Sequence, residues 1–199
     1  MNILVLDTAY TQNVVVIKDD VVAAEECIKS ENHSDTFMGL IDSCLKRAKI
    51  SINDIDCICI NIGPGSFTGL RVAISIAKGL GVQSKIIYKT FTSFDYFKNL
   101  ENRAIVLSGF SNYVYVRESN MMDCVEVPKL DINKKYVTNS NKIYEQLNEI
   151  GLNVVMENTI DYLAIIKKDN CKVTKIENLE PLYLRKSQAE IERDKRLKM

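Results

Sequence analysis

Gly63-Pro-Gly-Ser-Phe-Thr-Gly-Leu-Arg71 stands between a buried apolar run, residues 55–62, and a stretch of helical spacing over residues 70–82. Three glycines and a proline within seven residues fix a special backbone path from strand to helix. A loop of this kind turns backbone N–H groups and a helix N-terminus toward one point, which suits an anion or a closely packed partner. It is not a P-loop, because Gly69 is followed by Leu70 and Arg71 where that motif needs Lys and Ser/Thr. Two readings stay open, a phosphate cradle and a structural turn, and the residues alone favour the turn. Gly63, Pro64, Gly65, Ser66, Phe67, Thr68, Gly69 and Arg71 are the candidate contacts for an anion or a partner.

Working outward, Ile3-Leu-Val-Leu6 is a short apolar run that ends at Asp7, the pattern of a buried strand with a carboxylate at its end. Val14-Val-Val-Ile17 is β-branched and reads as a second strand; Lys18-Asp-Asp20 turns the chain into a third over residues 21–28. Ser34 reads as an N-cap, with Asp35 placed to favour the helix dipole. Over residues 35–49 the apolar positions Phe37, Met38, Leu40, Ile41, Cys44, Leu45 and Ala48 cover an arc of roughly 160°. After the loop, residues 86–88 form a short strand and residues 92–100 a further helix.

The pattern then restarts. Residues 104–107, 113–116 and 121–127 repeat the three-strand opening, which predicts two related lobes, residues 1–100 and 101–199. Beyond Pro128 the second copy is reduced to a helix over 141–149, a strand over 153–156 and a helix over 159–166. Residues 187–199 are a charged tail with the composition of a frayed helix.

The composition narrows the function classes. In 199 residues, 26 Lys+Arg balance 26 Asp+Glu, which argues against a protein that holds nucleic acid by its overall field. No apolar run approaches the ~20 residues of a membrane-spanning helix, so no membrane partner is expected. The opening segment lacks a basic region and meets Asp7 too early for a signal peptide, so a cytoplasmic location is expected. The six cysteines show no C-x-x-C spacing; Cys57 and Cys59 point to one face of a strand and read as small core hydrophobes in a reducing compartment. With His33 the only histidine, a two-imidazole metal site is impossible within the chain, and neither metal nor cofactor is expected. Asp7 could orient a metal-bound water or a phosphoryl group, but a strand-end aspartate more often caps the following turn, and that reading is favoured.

Along residues 70–82, Leu70, Val72, Ala73, Ile74, Ile76, Ala77 and Leu80 cover roughly 200° of the helix, more than one sheet face requires. Either the two long helices satisfy each other, or the excess marks an interface. Phe37, Leu40, Ile41, Cys44, Val72, Ile74 and Ile76 are the interface candidates.

The loop Gly63–Arg71, with Ile3-Leu-Val-Leu-Asp-Thr-Ala9, His33-Ser34, Ala77-Lys-Gly-Leu80 and Pro181-Leu-Tyr-Leu-Arg185, resembles the TsaB (YeaZ) family of the bacterial tRNA threonylcarbamoyladenosine machinery. The likeness is strong to about residue 98 and weak over about 103–180. It implies an α/β, actin/Hsp70-like (ASKHA) fold of two lobes, each a mixed sheet with flanking helices. It also implies a non-catalytic role beside TsaD, which transfers threonylcarbamoyl to the adenosine next to the anticodon of tRNAs reading ANN codons. The ATPase TsaE joins that pair, tRNA is met through the complex, and a homodimer is the expected substitute when TsaD is absent. The catalytic relative carries a metal-binding His-x-x-x-His after the strand that follows this helix; the corresponding Tyr88-Lys-Thr-Phe-Thr-Ser-Phe-Asp95 has no histidine. The competing reading is an enzyme, either an ASKHA-type ATPase or kinase or a peptidase, although a peptidase triad would rest wholly on His33.

Overall fold

The computed structural model describes residues 1–28, 33–81, 86–98, 100, 102–167 and 171–185, without the side chains of residues 33–35. The charged tail over 187–199 lies outside the described residues, as does the side chain of the expected cap Ser34.

The chain forms two compact units: Met1–Asn99 together with Asn158–Leu182, and Leu100–Glu157 with the chain from Tyr183 onward. The first change of unit falls between Asn99 and Leu100. The return of Asn158–Leu182 to the first unit differs from the expected division, because this segment adds a strand and a covering helix to the first sheet.

In the first unit the chain runs β1 (Asn2–Asp7), β2 (Gln12–Lys18), β3 (Val21–Ile28), α1 (His33–Arg47), β4 (Cys57–Asn61), α2 (Phe67–Leu80) and β5 (Ile87–Phe91). The second unit contributes β6 (Ala104–Ser108), β7 (Tyr113–Glu118), β8 (Met121–Glu126), β9 (Lys135–Thr138), α3 (Asn141–Glu149) and β10 (Asn153–Met156). The chain then returns through α4 (Tyr162–Lys167) and β11 (Lys172–Thr174). The first sheet has the order β11-β5-β4-β1-β2-β3 and the second β10-β9-β6-β7-β8. In each, three strands form an antiparallel meander and two more add in parallel to the first strand of that meander. Both copies therefore share one topology. The second is reduced at one place: where α1 joins β3 to β4, a single turn over Val127–Lys129 follows β8.

The meander closes as the sequence predicts. Asp19 and Asp20 both adopt positive φ, 49° and 63°, the backbone that a two-residue hairpin turn demands. β1, β2 and β4 are buried along nearly their whole length, as strands covered on both faces must be. Leu4, Leu6, Val14, Val16, Ile58 and Ile60 pack with Phe37, Ile41 and Cys44 of α1 and Ala73, Ile74 and Ala77 of α2. On the opposite face the return segment brings Tyr162 to Asp7 and Cys171 to Cys59.

Two boundaries differ from expectation. α2 starts at Phe67, three residues before the apolar spacing begins, because the Ser66 side chain accepts from Gly69 N at 3.1 Å and caps it. Over residues 92–100 the expected helix is one 3₁₀ turn, Ser93–Tyr96. Five consecutive residues there, Ser93 to Phe97, are buried, which a surface helix cannot achieve; a single turn closed by Thr92 N and Oγ1 on Asp95 Oδ2, both 2.7 Å, does so.

Candidate functional site

β1 and β4 are parallel neighbours, so their C-terminal residues Asp7 and Asn61 emerge side by side from the sheet. Both are fully buried. Asp7 Oδ1 accepts from Ala9 N at 3.1 Å and from Asn61 Nδ2 at 3.0 Å. Its other oxygen, Oδ2, accepts from the Tyr96 hydroxyl at 2.7 Å and the Tyr162 hydroxyl at 2.9 Å. The bond to Ala9 N is the turn-capping role the sequence favours for Asp7. The two tyrosines complete it: each carboxylate oxygen has two donors, and each donor comes from this chain.

The electrostatics follow from burial. Removal from water raises the Asp7 carboxyl above its ordinary range, while the four donors pull the other way. Burial, followed by the neighbouring negative charge, holds the Tyr96 and Tyr162 phenols well above their usual range, so both remain neutral donors. The network continues into the glycine-rich loop. Asn61 Oδ1 accepts from Gly63 N at 2.8 Å, and Ser93 Oγ donates to Pro64 O at 2.7 Å.

The loop itself is folded onto the turn that follows β1. Ser66 N donates to Ala9 O at 2.7 Å, Ser93 N to Gly63 O at 2.9 Å, and Leu182 N to Ile62 O at 2.7 Å. Gly63 takes φ 109° across a cis bond to Pro64. A Cβ on Gly65 would lie 2.5 Å from Ala9 O, and one on Gly69 2.3 Å from Thr8 O. These glycines are where two backbones touch. The N–H groups of Gly63, Ser66 and Gly69 all bond within the chain, the arrangement of a structural turn. Beside it Thr8 Oγ1 is buried without a hydrogen-bond partner.

The candidate residues thus separate. Gly63, Pro64 and Gly69 are buried and Gly65 and Ser66 half-buried, whereas Phe67, Thr68 and Arg71 are exposed at the start of α2, with the Arg71 guanidinium 3.8 Å above the Phe67 ring. Among the interface candidates Phe37, Leu40, Ile41, Cys44 and Ile74 are core residues, each at most 5 % exposed. For these five, the broad apolar arcs of the two helices are explained by packing against the sheet and each other. Val72 and Ile76, four residues apart on one stripe of α2, are half-buried and keep surface toward solvent, and Met38 on α1 is 47 % exposed. Sequence reasoning missed Asn61, Ser93, Tyr96 and Tyr162 as members of the Asp7 network.

A model of the family "TsaD: tRNA N6-adenosine threonylcarbamoyltransferase" matches residues 25–88. The tRNA threonylcarbamoyladenosine biosynthesis protein TsaB of Buchnera aphidicola is 36 % identical over 87 residues, 42 % of this chain and 40 % of that protein. TsaB of Escherichia coli is 32 % identical over 87 residues, 43 % of this chain and 38 % of its own length. YeaZ from Pseudomonas aeruginosa superposes with a TM-score of 0.71 at 14 % identity, covering 92 % of this chain and 99 % of that one. Over part of its length the chain is thus similar to TsaB proteins, and it has the fold of YeaZ. Its match spans about two-fifths of the length of the curated TsaB relatives it resembles. The same stretch is 33 % identical over 88 residues to a tRNA N6-adenosine threonylcarbamoyltransferase of Thermosipho melanesiensis, covering 40 % of this chain and 27 % of that enzyme. TsaB and TsaD proteins thus share this N-terminal pattern. The doubled meander-and-parallel sheet is the ASKHA architecture that the family resemblance implies.

Proposed function

We propose that this chain is a non-catalytic subunit that supports a TsaD-type transferase in forming N6-threonylcarbamoyladenosine beside the anticodon of tRNAs reading ANN codons. The observation that carries the reading is the closure of Asp7. A carboxylate that served a metal or a phosphoryl group would need a free oxygen facing its ligand, and here Tyr96 and Tyr162 occupy that oxygen with 2.7 and 2.9 Å bonds. The sequence adds a second argument. With His33 alone, the chain cannot supply the paired imidazoles with which the catalytic relative holds its metal. The names of the TsaB relatives supply the pathway.

In this reading the chain works in the cytoplasm. It meets TsaD through the outer side of α1 and α2, TsaE joins the pair, and tRNA is engaged through the complex. Val72 and Ile76 are the apolar side chains of α2 that a facing helix pair would cover, and self-association over the same stripe is the substitute when TsaD is absent. The test is co-purification with TsaD from the same host, followed by tRNA modification assays with and without this chain. Ile76→Glu places a charge at the centre of the proposed contact. A buried unpaired charge costs about 3–5 kcal/mol, so affinity should fall on the order of a thousandfold with the monomer still folded. Full modification activity without the chain, or unchanged TsaD binding by folded Ile76→Glu, would overturn the proposal.

A further inference from the structure

Outside the Asp7 network, two thiols of the first unit lie close together among the described residues. Cys59 Sγ of β4 and Cys171 Sγ, one residue before β11, lie 3.2 Å apart, on the sheet face away from α1 and α2. Cys59 is fully buried, whereas Cys171 is half-buried and open to small solutes. Lys89 of β5 is the register partner of Cys59 and contributes positive charge to both thiols; Cys57 and Asp95 are the other titratable groups felt there.

We propose that Cys59 and Cys171 are a peroxide-sensitive thiol pair that closes to an intrachain disulfide. The sulfurs need approach only from 3.2 Å to about 2.05 Å. The geometry also divides the roles. Cys171 is half-buried and the thiol that peroxide can reach, whereas Cys59 is fully buried behind it; in keeping with this, the hydrogen bond between the two thiols, with Lys89, lowers the Cys171 thiol, and the same bond with burial raises Cys59. Cys171 is therefore the attacking thiolate and Cys59 the resolving thiol. Burial pushes Cys44 and Cys57 up to about 11, which leaves them unreactive at neutral pH.

The chemistry balances in two steps. The Cys171 thiolate attacks one oxygen of the peroxide, the O–O bond breaks, and hydroxide leaves, giving Cys171 sulfenic acid. Cys59 sulfur then attacks the sulfenic sulfur, the S–O bond breaks, and hydroxide leaves to combine with the proton that Cys59 releases. In total two thiols and one hydrogen peroxide give one disulfide and two waters; the peroxide takes both electrons.

Closure would join residues 112 positions apart and fix the return segment to β4. That segment reaches the first unit only after Leu100–Glu157 of the second, and it carries Tyr162, the donor that helps close Asp7. Oxidation should therefore secure the Asp7 network against local opening.

The test uses the full chain with Cys27→Ser and Cys124→Ser, which remove the exposed thiol and the other half-buried one. Equimolar hydrogen peroxide should lower the intact mass by about 2 Da, and dithiothreitol should restore it. Non-reducing peptide mapping should find the Cys59 and Cys171 peptides linked. The oxidised chain should melt roughly 5–10 °C higher, because the link removes the chain entropy of a large loop. Cys59→Ala should divert Cys171 to sulfenic and sulfinic acids, and Cys171→Ser should abolish both the link and the mass change. A Cys171 that stays reduced, or that overoxidises in the presence of Cys59 without linking, would overturn the proposal, as would an intermolecular product in its place.

Discussion

Asp7 can be replaced in two ways that have unequal consequences if its carboxylate is a structural acceptor. Asp7→Ala deletes the acceptor of Tyr96, Tyr162 and Asn61 and leaves their donors inside a region closed to water. Each orphaned donor costs about 1–3 kcal/mol, and relief of the buried charge offsets part of the sum, so a net loss of about 3–5 kcal/mol is expected. A fold with a total stability of about 5–15 kcal/mol loses roughly a fifth or more, which lowers Tm by roughly 10 °C. Asp7→Asn keeps one acceptor oxygen for Ala9 N and Asn61 Nδ2 and turns an amide toward the tyrosines, whose hydroxyls rotate and accept. It also removes the charge and keeps two of the four bonds, so although the two hydroxyl protons lose this acceptor, its loss of stability should be well below that of Asp7→Ala at neutral pH. The pH dependence separates the two proteins further. Burial raises the Asp7 carboxyl in the folded state above its ordinary 3.8, so the native chain holds the proton more tightly than the unfolded one. The parent is accordingly favoured at low pH and loses that contribution as pH rises from 3.8 through the folded value; Asp7→Asn has no such term and should gain on the parent over that window. Urea denaturation of the three proteins between acid and neutral pH measures both effects. Equal damage by Asn and Ala, or ATP turnover by the pure parent that Asp7→Asn abolishes, would refute the structural reading of this carboxylate.

Glycine substitutions test the loop and its helix. Gly69→Ala should cost more than about 2 kcal/mol in chemical denaturation, because the new Cβ meets Thr8 O at 2.3 Å and neither backbone can yield, whereas Gly79→Ala, with nothing within 4 Å, should gain about 0.5–1 kcal/mol from helix propensity. At the other end of α2, a Cβ on Gly81 would fall 1.4 Å from the Tyr88 hydroxyl, which donates to Ala77 O at 3.2 Å. Gly81→Ala should therefore cost about 1–3 kcal/mol, and in a double-mutant cycle with Tyr88→Val the combined loss should be smaller than the sum of the two.

What the sequence makes legible is local. The β-branched run at Val14–Ile17, the Asp-Asp hairpin turn and the helix over residues 141–149 are each encoded within a few side chains, and each stands in the structure. The recurrence of three strands after residue 100 is legible for the same reason, since it is a series of local periods. The segment over 92–100, expected as a helix, misleads because Phe94, Tyr96 and Phe97 are all drawn inward by a core that local sequence does not represent. The broad apolar arc of α2 misleads in part, since Leu70, Ala73, Ile74 and Ala77 are buried and only Val72, Ile76 and Leu80 of that arc retain surface.

The feature that bears most on function is of the opposite kind. Tyr162 reaches Asp7 across 155 residues of sequence, and Tyr96 across 89. Neither lies in a motif, and neither is distinguishable by composition from a core tyrosine. Asp7 followed by a glycine-rich loop reads equally well as the start of a phosphate site or as a turn, because both use the same strand end and the same helix N-terminus. The choice depends on what fills the space in front of the carboxylate. Here the chain fills it with two hydroxyls whose phenols burial keeps neutral, and it takes up the loop's N–H groups at Gly63, Ser66 and Gly69 with its own acceptors. A strand end shaped for a ligand thus becomes a rigid buttress for the turn from which α2 departs. Such rigidity is what a helix face needs if it is to be presented to a partner in one orientation.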